Sequence, residues 1–200
     1  MSAVSESIVR EYFELHQFLV RQQRKYVTPT QRETEDIDFY VFNPLATPCE
    51  TAPPFILTSA DLAGITRAIV VVKGWHTETF SPARLAGAPG IFRFVSPKVF
   101  QRAARTFGLN GTPWKILIVP TLPHSAEARE KSILLLRSRG VDAVIPFRTL
   151  LADLVQSVGV NRNYQKSDLL QTIRILKNYD FFKGPQLELF KTTRRGRPRV

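Results

Sequence analysis

Hydrophobic and polar positions along the chain follow two rhythms. From Ser5 to His16, the residues Ile8, Val9, Tyr12, Phe13 and Leu15 make an apolar stripe at helical spacing, with Ser5 placed to cap its start. Gln17-Phe18-Leu19-Val20 opens a strand expected to run towards Tyr26, and Asp36 to Phe42, rich in aromatic and β-branched residues, reads as a second. Between them, Val27 to Glu35 is polar, holds Pro29 and reads as a loop; Asn43 to Pro54, rich in proline, reads as another. Ala68-Ile69-Val70-Val71-Val72-Lys73 and Lys115-Ile116-Leu117-Ile118-Val119-Pro120 are near-continuous apolar runs of the kind buried on both faces of a sheet.

Thr77 to Pro97 is read as irregular. A helix is expected over Pro97 to Phe107, with Pro97 in its first turn, and another over Ser125 to Arg139, capped by Ser125 and stopped by Gly140. Val141 to Phe147 then reads as a strand, followed at once by a helix to about Val158, and Ser167 can cap a last helix ending near Tyr179. The first three strands are joined by loops without helices, which suits an antiparallel meander. The later strands alternate with helices and suit parallel pairing. The expected class is α/β: a mixed sheet flanked by helices over residues 1–160, an accessory C-terminal helix over 161–182 and a basic tail over 183–200.

Charge adds a partner to this picture. The 200 residues carry 28 Lys+Arg against 17 Asp+Glu, a net charge of +11, and five basic residues fall in the last ten with no acid among them. Further basic clusters stand at Arg21/Arg24/Lys25, Arg102/Arg105 and Arg137/Arg139. Such a balance favours a polyanion, nucleic acid first, through counterion release. The single cysteine, Cys49, excludes an internal disulfide and a cysteine-based zinc site, and His16, His76 and His124 are too scattered for a histidine cage. No apolar run approaches the roughly 18–20 residues that span a bilayer, and the start of the chain lacks the apolar region of a secretory signal. A soluble, cytoplasmic protein without a membrane partner is expected.

Three pieces carry chemistry. Glu6 lies in the first helix, Asp36-Ile37-Asp38-Phe39 opens the second strand, and Val71-Val72-Lys73-Gly74-Trp75 ends the third. This arrangement resembles the PD-(D/E)XK nuclease superfamily, with its restriction-endonuclease-like three-layer fold, by motif over residues 5–75 and by element order over 5–155. The resemblance implies a phosphodiester hydrolase acting on DNA in repair, recombination or restriction. Asp38 and Glu6 would hold Mg²⁺ or Mn²⁺ as hard oxygen ligands, and Lys73 would orient water or phosphate. It also implies Arg21, Arg24 and Lys25 at backbone phosphates, and a possible homodimer that cuts two strands.

One position departs from the pattern. The acidic residue expected two before Lys73 is Val71, which cannot bind metal through its side chain. Residues two apart on a strand share a face, so positions 71 and 73 are expected to point at one site. The alternative is therefore a catalytically inactive DNA-binding or adaptor protein on the same fold. An RNA-processing enzyme is a third reading.

The end of the chain adds two short motifs. Gln186-Leu187-Glu188-Leu189-Phe190 resembles the pentapeptide by which bacterial proteins bind the replication sliding clamp, with Leu187, Leu189 and Phe190 as pocket anchors and Gln186 at the rim. Arg194-Arg195-Gly196-Arg197-Pro198-Arg199 resembles an AT-hook, in which Arg195, Arg197 and Arg199 would enter a narrow A·T minor groove. The plainer readings are a strand that folds back on the body and a basic tail that binds DNA without sequence preference.

Overall fold

The computed structural model describes residues 3–23, 37–47, 52–108 and 112–182. These fall into two compact units divided between Leu154 and Val155. Arg24, Lys25 and Asp36 lie outside the described residues, as do Gln186, Leu187, Leu189, Phe190, Arg195, Arg197 and Arg199 with the rest of the tail.

The first unit is built on one sheet. Helix α1 (Ala3–Leu15) is followed by strands β1 (Leu19–Gln22), β2 (Phe39–Phe42) and β3 (Arg67–Val72). Next come a short helix α2 (Pro82–Ala86), helix α3 (Pro97–Thr106), strand β4 (Trp114–Val119), helix α4 (Ala126–Ser138), strand β5 (Ala143–Pro146) and helix α5 (Phe147–Ser157). The strands lie in the order β1-β2-β3-β4-β5. β1, β2 and β3 pair antiparallel, and β4 and β5 join in parallel. The expected meander followed by parallel crossovers is what the sheet displays. In the second unit, helix α6 (Asp168–Asn178) begins at Ser167, whose hydroxyl accepts from the Leu170 N–H at 3.3 Å.

Two layers of helices cover the sheet. Tyr40, Ile69, Val71, Leu117, Val119 and Val144 project to one face, where they bury Leu85 of α2, Ala103 of α3 and Leu136 of α4. Alternation sends Phe39, Val41, Val70, Val72, Ile116 and Ile118 to the other face, and all six are buried. There α1 buries Ile8, Val9, Tyr12 and Phe13, and His16 at its end meets Asp153 of α5 at 2.5 Å.

Local signals set most boundaries. The Ser125 hydroxyl accepts from the Ala128 N–H, and Gly140 ends the chain's turn after α4 at φ 89°, a conformation that glycine adopts without strain. Three features differ from the expectation. The first helix starts at Ala3, so Ser5 is not its cap; it is buried, and its hydroxyl lies 3.1 Å from His76 Nε2. The stretch read as irregular contains α2, capped by the Ser81 hydroxyl, and a 3₁₀ segment over Pro89–Val95. A second 3₁₀ segment, Ser59–Gly64, is stabilised by the Asp61 carboxylate, which accepts from both the N–H and the hydroxyl of Thr58. These are short elements whose capping residues also favour turns, so apolar periodicity has too few positions to register them.

Candidate functional site

The antiparallel meander brings the end of β1, the start of β2 and the end of β3 to one edge of the sheet. Gln22, Asp38 and Lys73 stand there, and the first turn of α1 delivers Glu6 to the same place.

Asp38 is held by the strands on both sides. Its N–H donates to the Val70 carbonyl at 3.1 Å, and its carbonyl accepts from the Gln23 N–H at 2.8 Å. Its carboxylate Oδ2 accepts from the Val72 N–H at 2.7 Å. Ile37 and Tyr40 both enter the core cluster beneath α2, α3 and α4, although they are three residues apart. Ile37 and Asp38 precede β2 and are not bound by its alternation, which leaves the Asp38 carboxyl free to turn towards the Val72 N–H.

Burial pushes the Asp38 carboxyl up to about 6. The Val72 N–H and the Lys73 ammonium oppose that rise, and the Glu6 carboxylate adds to it. Lys73, just past β3, and Glu6, in α1, thus both act on Asp38 electrostatically. Glu6 is steadied by Gln22, whose Nε2 donates to Glu6 Oε2 at 2.6 Å. Lys73 follows the last residue of β3, anchored by its N–H to the Ile118 carbonyl at 3.0 Å.

The next residue explains how α1 comes so near. A Cβ on Gly74 would stand 2.9 Å from Ser5 Oγ. Only glycine lets the chain leaving β3 pass this close to the first turn of α1, and His76 fixes the Ser5 hydroxyl from the other side. The His76 ring in turn meets the Phe147 ring edge-on at 4.5 Å. Gly74, Gln22 and Ser5 are the supporting residues that sequence reasoning missed. The Gly directly after Lys73 was the available signal for the first; Gln22 and Ser5 carried none.

One expectation is corrected here. Positions 71 and 73 do not present to one site. Val71 is 1% exposed within the core cluster on the α3 side, while Lys73 lies beyond the strand and acts on Asp38. Arg21 lies one residue before Gln22 on β1. It stands opposite Tyr40 in the β1–β2 register, and its neighbour Gln22 is the residue that reaches Glu6. Glu78, five residues past Lys73, is paired with Arg84. The Trp75 ring is met by Phe80 and by the Arg84 guanidinium, 4.8 Å from its centroid.

A divalent ion makes definite demands. Among the described residues, no group of three or more His, Cys, Asp or Glu is placed to hold one. Asp38 and Glu6 are the two carboxylates brought near each other at this place; Mg²⁺ is commonly held by one or two carboxylates, with waters and substrate phosphates completing its shell.

No protein-family model, no curated protein and no solved structure matches the chain. The α/β class therefore rests on the sheet itself, and any function rests on this edge. No helix among the described residues is long and apolar enough to cross a membrane.

Proposed function

We propose that the protein acts on DNA as a metal-dependent phosphodiester hydrolase of the PD-(D/E)XK type, on a restriction-endonuclease-like fold. One observation carries the reading: Asp38, Lys73 and Glu6, from a strand start, a strand end and a helix, converge on one edge of a mixed sheet. When bound, Mg²⁺ or Mn²⁺ would neutralise phosphate charge and acidify a water. Asp38 and Glu6 would hold it. Lys73 keeps the Asp38 carboxyl nearer its ionised form and presents an ammonium to a phosphate oxygen. Gln22 orients Glu6.

A second reading is favoured by Val71. With that position sealed in the core, the site has one carboxylate fewer than the superfamily pattern, which suits a DNA-binding or adaptor protein that does not cleave. On either reading the tail would add affinity, through the clamp-like peptide at Gln186–Phe190 and the AT-hook-like arginines.

The test is cleavage of labelled linear, nicked, branched and single-stranded DNA in Mg²⁺ or Mn²⁺, with Lys73→Ala alongside. The expected result is metal-dependent cutting that falls by at least about 100-fold in the variant. Binding without cutting in either metal would sink the hydrolase and leave the adaptor.

A further inference from the structure

The sheet face opposite α1 carries a different charge pattern. From Thr79 to Ala126 the sequence holds no acidic residue but six basic ones: Arg84, Arg93, Lys98, Arg102, Arg105 and Lys115. Two of these meet acids from outside the stretch, Arg84 with Glu78 and Lys115 with Asp142. In α3 the basic residues recur at helical spacing, and Lys98 and Arg105, seven apart, are both exposed.

The sheet positions this helix. Arg21, Tyr40, Ile69 and Lys115 stand side by side across β1, β2, β3 and β4. α3 lies over that row. The Phe100 ring is beneath the Lys115 ammonium at 4.6 Å, Ala103 is buried, and Phe107 just past the helix meets the Tyr40 ring at 5.8 Å. Thr106 hydrogen-bonds to Tyr40, and the Arg21 and Arg102 guanidiniums both act on that phenol. Arg102 from the helix and the exposed Arg21 of the edge strand thus both lie near Tyr40, and Arg105 stands in the last turn of α3.

We propose that the outer side of α3, with Arg21 and Arg102 at its β1 end, is a docking surface for the phosphate backbone of duplex DNA, distinct from the Asp38 edge. Charge complementarity selects the occupant: guanidinium forks pair with phosphate oxygens, and α3 itself carries three basic residues, Lys98, Arg102 and Arg105, and no acidic one. The contacts are to phosphate, so they position the duplex without reading its sequence. This inference shares the DNA partner of the proposed function but not its site or its chemistry.

The experiment measures binding of a short labelled duplex by the full chain in chelator, across a salt series. The proteins are wild type, Arg105→Gln alone and the triple variant Arg21→Gln/Arg102→Gln/Arg105→Gln. A form with Arg195, Arg197 and Arg199 changed to Gln isolates the tail. The triple variant is expected to bind at least about tenfold more weakly at low salt. Its slope of log K against log salt should be shallower by roughly 3. Arg105→Gln, changed at an exposed position, should lose about one unit of slope while keeping the wild-type melting temperature. Unchanged affinity and slope in a folded triple variant would overturn the surface, as would a loss confined to duplex RNA. Failure of every form to bind duplex DNA would overturn the surface and the proposed function together, whereas binding without cleavage would remove only the hydrolase.

Discussion

The two faces of the one sheet make a useful contrast. Neighbouring residues of β1 serve opposite sides: Gln22 reaches the Glu6 carboxylate beneath α1, and Arg21 joins the basic row beneath α3. On the α1 side polar groups are drawn into fixed mutual contacts, Ser5 with His76, Glu6 with Gln22, and Asp38 with the backbone of Val72. On the α3 side Val71 lies in an apolar cluster with Ile69, Leu117 and Val119, and charge is displayed outward from a helix. A site that positions single oxygens needs the first arrangement. A surface that meets a long polyanion needs only the second.

The largest effect that tests this contrast comes from Val71→Glu. If position 71 were a vacated ligand position at the Asp38 edge, the new carboxylate would find solvent and Lys73. Because Val71 is sealed among Ile69, Leu117 and Val119, the substitution should instead bury an unpartnered charge. The expected cost is about 3–5 kcal/mol, read by denaturant unfolding. A variant as stable as wild type would contradict the assignment of faces.

Asp38 supplies a test of the α1 side. Its folded-state value of about 6 lies above the ordinary 3.8, because burial disfavours the charged form. Between those values the native state binds more protons than the unfolded one, so this group's contribution to stability falls as pH rises from about 4 to about 6 and levels off above. Relative to Asp38→Asn, wild type in chelator should lose roughly 2–3 kcal/mol across that window. A stability difference that stays flat with pH would place Asp38 in water.

A smaller effect is expected from Gly74→Ala. Its new methyl meets Ser5 Oγ, which His76 holds in place, so α1 or the chain after β3 must give way. A cost of about 1–2 kcal/mol follows from overpacking. Ser5→Ala in the same background should return part of it, and a neutral Gly74→Ala would mean that α1 has room to move.

Much of the framework was legible in the chain. The runs at 68–73 and 115–120 announced strands buried on both faces, and the absence of helices between the first three strands announced the meander. That meander alone carries Asp38 to Lys73, which is why sequence could bring them together. What stayed hidden depended on where alternation stops. The residues just before β2 are released from it, which decides where the Asp38 carboxyl turns, and no residue type marks that point. Position 71 was read as a site position by counting two back from Lys73, but β3 ends at Val72, and alternation no longer binds the residue beyond.

The last strand is sealed by a segment far from it in sequence. Val144 donates its N–H to the Phe55 carbonyl at 2.8 Å and accepts from the Leu57 N–H at 2.9 Å, so Ile56 lies as a parallel bridge against the outer side of β5. During synthesis the meander can pair as soon as β3 has emerged. The 55–57 segment then has no partner until β5, nearly ninety residues later, has been made. Closing that long loop is entropically dear, and until it closes both strand-like segments expose unpaired amides and carbonyls. The sheet's far border is thus completed late, by a stretch of chain that the ribosome released early.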